Sequence, residues 1–344
     1  MTRLGGTMTS RRLVIVLAAG CAVSAAAGTA PALAGTGAGP AARVVAERRI
    51  DARTLDLTVS SPAVGQRVKV RLITPRGWSR TAKRTWPVLY ALHGGRDGYQ
   101  SWTRSTDIER LAARYDVMVV MPDAGYNASY TNWFNYGRRG KPRWETFHTG
   151  ELRRLVESRY RGGTRRAVMG LSSGGYGALS YSARNPGMFR YAASFSGPAR
   201  ISQRRMQTSA LATVFASGNG VDPLRIWGVP GVHDANWRAH DPYERAAGLR
   251  GTRVHLSSGT TGKRGPLDRD LTPEQELVSR FVGGDQERLI GRSNMDLARR
   301  LRSLGVRVTT HFYGDGWHQW RYWQREMHSI WPAMMSAIGA RRTG

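Results

Sequence analysis

The segment AVMGLSSGGYGALSYSARNP, residues 167–186, runs from an apolar stretch through a glycine-flanked pair of serines into a small-residue, helix-like stretch. Gly170-Leu171-Ser172-Ser173-Gly174 fits the pattern G-x-S-x-G with Ser172 at its centre; Ser173 does not fit, because Leu171 stands where the first glycine is needed. Between a strand and a helix this pattern holds a serine on a strained turn, and the two glycines leave room that a Cβ would fill. The helix that follows turns its positive dipole end toward the hydroxyl, where negative charge would develop. Ser172 is therefore the candidate nucleophile. The alternative is a glycine-rich turn without chemistry, and in a chain with 41 glycines the pattern alone is weak. Its flanks carry the case.

Outward from this turn, apolar strands alternate with amphipathic helices. RTLDLTVSSPAVGQRVKVRLITP (53–75) alternates polar and apolar residues around a turn and predicts a hairpin. Buried-type strands are expected at 86–94, 117–125, 165–172, 191–197, 253–259 and 307–314. Helices are expected at 105–116, 144–160, 174–186, 294–305 and 319–339. The stretch between 197 and 253 reads as long and irregular. The order predicts an α/β fold with a mostly parallel central sheet and helices on both faces. Active sites of such sheets lie at the carboxyl ends of the strands, where Ser172 falls.

The 344 residues divide into three expected parts. Arg11 and Arg12, the apolar run LVIVLAAG and the small-residue site Ala32-Leu33-Ala34 predict a secretory signal peptide over 1–34. Residues 35–45 read as a flexible lead-in and 46–344 as a single domain. No window has the roughly 20 apolar residues of a membrane-spanning helix, so the expected protein is exported, secreted or associated with the cell wall. The Arg pair resembles a twin-arginine signal, and AAGC ending at Cys21 resembles a weak lipoprotein site. Cleavage after Ala34 removes the only cysteine and with it any disulfide.

The formal charge is +28, and arginine far outnumbers Lys69, Lys83, Lys141 and Lys263. No compact basic run with interleaved aromatics appears, which argues against nucleic acid as a partner. A surface of this charge is drawn to an anionic cell wall or to lipid head groups, although a general arginine bias explains most of it. No cofactor is implied, and no metal, since no ligand cluster such as H-E-x-x-H occurs.

A serine nucleophile needs a base, and six histidines follow Ser172. His255 and His311 lie in predicted strands and His328 in mid-helix, with His233 and His240 in the irregular stretch. His318, in YGDGWHQWRYW, follows the last strand through a glycine-rich turn, where this architecture presents its general base. The acid stays open among Asp268, Asp270, Glu274, Glu276, Asp285, Glu287, Asp296 and Asp315. Two N–H groups should form the oxyanion hole. One is that of Ser173; the other comes from His93-Gly94-Gly95-Arg96, with Gly95 the candidate because it lets the backbone approach closely.

Taken together these residues resemble the esterase family that includes S-formylglutathione hydrolase and tributyrin esterases, and within it the secreted mycolyltransferases of the antigen 85 group. The likeness spans nearly the whole mature chain and rests on GLSSGG, ASYTNWF, RWETFHTGEL, FSG, RIWG, SSGTTG and His318-Gln319-Trp320. It implies the α/β-hydrolase fold and a serine esterase or acyltransferase acting through an acyl-serine. It also implies the acid: those enzymes carry a glutamate seven residues before an asparagine, as Glu287 precedes Asn294, with Asp268 the runner-up. Arg96 matches an arginine of that branch and is expected to contact the acceptor or steady the loop. Trp320 is expected to bind substrate, and Trp133, Trp317 and Trp323 are further candidates for an acceptor pocket. Two departures stand out. His93 replaces an acidic residue that contacts the sugar acceptor, and the loop after Arg96 is shorter.

The expected activity is thus hydrolysis of a small-molecule or lipid carboxylic ester. Acyl transfer to a sugar or glycerol hydroxyl is the alternative, and a wall-associated binding protein with the same fold is the rival from another class.

Overall fold

The structure, a computed structural model, describes residues 41–343, apart from four side chains between 275 and 282. The expected signal peptide and Cys21 lie outside the described residues. Nine strands form one sheet in the order β1-β2-β3-β5-β4-β6-β7-β8-β9. β1 (Arg43–Arg49), β2 (Thr54–Ser61) and β3 (Gln66–Ile73) pair antiparallel, as does β3 with β5 (Met118–Pro122). From β5 onward every pairing is parallel, through β4 (Trp86–Leu92), β6 (Gly162–Leu171), β7 (Tyr191–Phe195), β8 (Arg253–Ser258) and β9 (Val308–Phe312).

The apolar runs are long because both faces are covered. In β4, Val88, Tyr90 and Leu92 point to one side, while Leu89 and Ala91 point to the other. The first face packs α4 (Arg153–Tyr160), α5 (Ser173–Arg184) and α6 (Arg204–Phe215). The second packs α1 (Ser101–Ser105), α2 (Ile108–Ala112) and α11 (Trp320–Ile338). Near β8, Val254 and Leu256 meet Leu297, Ala298 and Leu301 of α10 (Asp285–Ser303). The expected mostly parallel sheet between helices is present.

Several local expectations need correction. The helix expected at 105–116 is only the short α2, and α1 precedes it, ending where Thr106 turns extended and its hydroxyl donates back to the Trp102 carbonyl at 2.5 Å. The stretch expected to be irregular contains α6, then α7 (Leu224–Trp227) and α8 (Asp234–Ala239). α10 begins nine residues before Asn294, after α9 (Pro273–Val278). Arg43–Val45, counted with the lead-in, are the first residues of the exposed edge strand β1. The helix over 144–160 is α3 (Trp144–Thr146) and α4 joined by a π turn, Phe147–Leu152.

That π turn buries His148 against Trp144, Phe147, Tyr130 and Tyr181. Its Nε2–H donates to the Asp123 carbonyl at 3.0 Å and its Nδ1 accepts from the Tyr181 hydroxyl at 2.8 Å, an arrangement that suits the neutral ring. Burial lowers its pKa from 6.5 to about 4. The unfolded chain therefore takes up this proton first as pH falls. Stability from the neutral ring is complete above pH 6.5 and is lost on the way down to about pH 4, a total of ~3 kcal/mol. Urea unfolding at pH 7.5 and 4.5 checks this: the loss between the two should shrink by ~2–3 kcal/mol in His148→Asn. An unchanged pH dependence in the variant contradicts it.

Candidate active site

Ser172 is the junction between β6 and α5, with φ 52° and ψ −124°. Such a backbone conformation costs a non-glycine residue on the order of 1–3 kcal/mol. Hydrogen bonds hold it in place: the Ser172 N–H donates to the Phe195 carbonyl at 2.9 Å, and its own carbonyl accepts from the Tyr176 N–H at 3.1 Å. The flanking glycines are a steric necessity. A Cβ on Gly170 would lie 2.2 Å from the Gly174 carbonyl oxygen, and one on Gly174 would lie 2.4 Å from that of Leu92. Ser173 is the first residue of α5, so its N–H belongs to the helix's unpaired first turn.

The loop leaving β4 comes alongside. A Cβ on Gly94 would sit 2.8 Å from Leu171 Cδ1 and 3.4 Å from Ser172 Cβ, so the closer approach to the serine turn is made at Gly94. A Cβ on Gly95 would only touch Ser173 Oγ at 3.5 Å, which is ordinary contact. The reason given for Gly95 from sequence therefore belongs to its neighbour. Among the described residues the Gly95 N–H has no acceptor, whereas the next N–H, of Arg96, donates to the Tyr126 carbonyl at 2.7 Å. The exposed Arg96 guanidinium reaches the Ala216 carbonyl at 3.2 Å, so it fastens this loop to the end of α6.

At the same strand edge Glu287, with 0% exposure, meets His318. His318 Nδ1 donates to Glu287 Oε2 at 2.7 Å, which leaves Nε2 to accept a proton. Glu287 Oε1 accepts from Ser196 Oγ and from the Gly259 N–H, both at 2.7 Å, and from the Tyr313 hydroxyl at 3.3 Å. Burial and the adjacent carboxylate push the Tyr313 hydroxyl up, so it remains a donor. Ser196 has φ 49° and in turn accepts from Trp323 Nε1 at 3.1 Å. The Trp323 ring packs edge-on against His318 at 4.8 Å. Ser196 also follows Phe195, whose carbonyl holds the Ser172 N–H. One backbone step thus links the serine to the Glu287–His318 pair.

Asp268, the alternative acid, does something else. Its Oδ2 accepts from the N–H groups of Gly265 and Trp317 and from the Tyr322 hydroxyl, which pins the loop that carries His318. Burial pushes its carboxyl up. His93 is 1% exposed; Nδ1–H donates to the Gly94 carbonyl at 2.7 Å and Nε2 accepts from the Ala124 N–H at 3.0 Å.

Ser172 and Ser173 open into a small cleft with about 70 Å3 of free interior space. Met206, Ala210 and Val214 of α6, Ile290 of α10, Ile201 and Trp227 make it apolar, the character of a surface that takes an acyl chain. Sequence reading missed α6 and hence this cleft. Trp320 lies elsewhere, packed against Trp102 at 5.4 Å and Trp323 at 5.3 Å. Trp317 and Trp323 are buried behind His318, and Trp133 lines a neighbouring groove. Ser196 and Tyr313 were also missed; a positive φ leaves no mark on the sequence.

Residues 61–334 match the family described as "Putative esterase". The chain is 33% identical over 225 residues to an esterase of Mycobacterium tuberculosis (Rv1288), covering 64% of this chain and 48% of that protein. It therefore spans about half the length of that relative. It is 28% identical over 296 residues to the diacylglycerol acyltransferase/mycolyltransferase Ag85B of Mycobacterium leprae, covering 83% of this chain and 84% of the relative. Two solved structures share the α/β-hydrolase fold. Mycobacterium tuberculosis MPT51 (FbpC1) has a TM-score of 0.68 at 24% identity, covering 84% of this chain and 100% of its own. An S-formylglutathione hydrolase from Agrobacterium tumefaciens has a TM-score of 0.62 at 14% identity, covering 86% and 99%.

The steric contrast between the glycines is testable by thermal and urea unfolding. Gly174→Ala should lose ~3 kcal/mol or fail to fold, because its Cβ meets backbone that cannot yield. Gly95→Ala should change stability by less than ~1 kcal/mol. Equal effects would contradict the geometry.

Proposed function

We propose that this chain, which belongs to the Putative esterase family, cleaves carboxylic esters through an acyl-Ser172 intermediate. Ser172 Oγ attacks the ester carbonyl while His318 Nε2 takes its proton, and Glu287 stabilises the imidazolium. The N–H groups of Ser173 and Gly95 receive the oxyanion. Collapse expels the alcohol, which leaves with the proton from His318. Water then attacks the acyl-enzyme, His318 takes a proton from it, and the acid and free Ser172 are regenerated. The observation that carries this reading is the hydrogen bond from the half-buried His318 to the fully buried Glu287 at the strand edge that holds the strained serine.

The apolar cleft beside Ser172 supports an aliphatic acyl group as the part of the substrate retained on the enzyme. The resemblance to Ag85B favours a second reading, transfer of the acyl group to a sugar or glycerol hydroxyl. Burial of His93, with both ring nitrogens engaged, favours water, because that position offers an acceptor sugar no polar group. The N-terminal leader supports action outside the cytoplasm, and among the described residues no helix is long and apolar enough to cross a membrane. N-terminal sequencing of protein recovered from medium should begin at Gly35; a retained leader would refute that placement.

Hydrolysis of p-nitrophenyl esters tests the chemistry. Ser172→Ala should lower kcat by at least ~10^4-fold, and His318→Asn similarly. A fluorophosphonate should label Ser172 and no other residue, as read by mass spectrometry. Undiminished cleavage by Ser172→Ala would sink the proposal. Ala210→Trp, which fills the cleft, should depress activity on long-chain esters at least tenfold relative to acetate. With glycerol or trehalose present, free acid should remain the main product; transester replacing it would favour the second reading.

A further inference from the structure

The helices that line the acyl cleft from inside carry a second, differently charged feature outside. The start of α6 and the outer face of α10 form a groove of about 490 Å3 whose rim bears Arg204, Arg205, Arg292 and Arg299. Asp296 is the one acid in its lining, and both its oxygens are taken, by Arg200 at 2.9 Å and Arg299 at 2.5 Å. Arg205 and Arg292 are exposed and, among the described residues, make no ion pair or hydrogen bond. A contiguous hollow that shares Asp296 and Arg299 adds Arg300. Arginine abundance alone would scatter these charges. Here they converge on one concavity whose single carboxylate is already used, and the remaining repulsion is relieved by an incoming anion. Leu289 and Met295, half-buried, give the groove an apolar floor.

We propose that this groove binds the phosphate headgroup of an anionic phospholipid. Two unpaired guanidinium forks match phosphate oxygens in pairs of parallel hydrogen bonds, a geometry lysine does not offer. The apolar floor suits the methylenes attached to such a phosphate, which free phosphate lacks. Position gives the binding a use. Met206 and Ala210 on α6 and Ile290 on α10 face the cleft beside Ser172, while Arg205 and Arg292 on the same helices face the groove. A chain docked through the groove holds the cleft next to the lipid layer. That delivery role rests on the proposed ester chemistry; the binding does not, and it is measured on Ser172→Ala protein so that the two fail separately.

The test is co-sedimentation with vesicles of phosphatidylcholine, with and without about 30% phosphatidylglycerol, at about 0.1 M salt. Two double variants remove the same charge: Arg205→Gln/Arg292→Gln in the groove, and Arg67→Gln/Arg76→Gln on exposed residues beside β3, in the other half of the sheet. The groove variant should lose about thirtyfold in partitioning to anionic vesicles, and the β3 variant less than about threefold. Circular dichroism should match the parent for both. Equal losses would reduce the effect to net charge and overturn the proposal, as would absence of binding by the parent. Release by millimolar inorganic phosphate at constant ionic strength would reassign the groove to free phosphate and overturn the lipid assignment.

Discussion

A carboxylate with no exposed surface is the demand around which the carboxyl edge of this sheet is organised. Removing a carboxylate from water costs several kcal/mol, and only well-placed donors offset it. Glu287 finds four: Ser196 after β7, Gly259 after β8, Tyr313 after β9, and His318 before α11. Apart from Tyr313 and His318, which share one loop, they are far apart in sequence. They converge because β7, β8 and β9 lie side by side in parallel register, so their ends stop at the same level. Ser172 joins through Phe195, the last residue of β7 and the acceptor of its N–H. The convergence on Glu287 and the sheet register are therefore one requirement: a slipped strand would leave a buried carboxylate without its donors.

That dependence explains which parts the amino-acid order discloses. The turn at Ser172 is legible because its causes are local: two glycines, an apolar strand before them and small residues after. His318 is legible from its place after the last strand. The acid is not, because eight carboxylates precede His318 at compatible distances and only three-dimensional convergence separates Glu287 from Asp268. The resemblance to mycolyltransferases supplied Glu287 where spacing could not. β1 escaped notice because an edge strand with little burial needs no alternation. α6 escaped because Met206, Gln207 and Val214 are its only buried residues, too sparse a stripe to stand out.

α6 illustrates how one marginal element can decide function. Its helical form owes little to burial in the main core, yet Met206, Ala210 and Val214 make one side of the acyl cleft. Arg96 grips its carboxyl end through the Ala216 carbonyl, while the backbone N–H of the same residue is held by Tyr126. The loop that offers the Gly95 N–H to an oxyanion and the helix that walls the acyl group are thus tied by a single side chain. The exposed arginine thus has a contact within the protein, from the loop after β4 to the end of α6.

The two sides of the proposed reaction differ in how they are built. The acyl side has a strained serine, a histidine held by a buried carboxylate, and an apolar cleft. The acceptor side departs where the related transferases keep an acidic residue: His93 stands there instead, 1% exposed. Its Nδ1 faces a carbonyl and must carry the proton; its Nε2 faces the Ala124 N–H and must not. A ring bound on both nitrogens has no polar group left for a sugar hydroxyl. Turning it outward would break both bonds and leave the Ala124 N–H buried without an acceptor, a penalty of ~1–3 kcal/mol before any contact is gained. The residue thus serves the loop that holds Gly94 and Gly95. Its polar atoms are spent on that loop and on the Ala124 N–H.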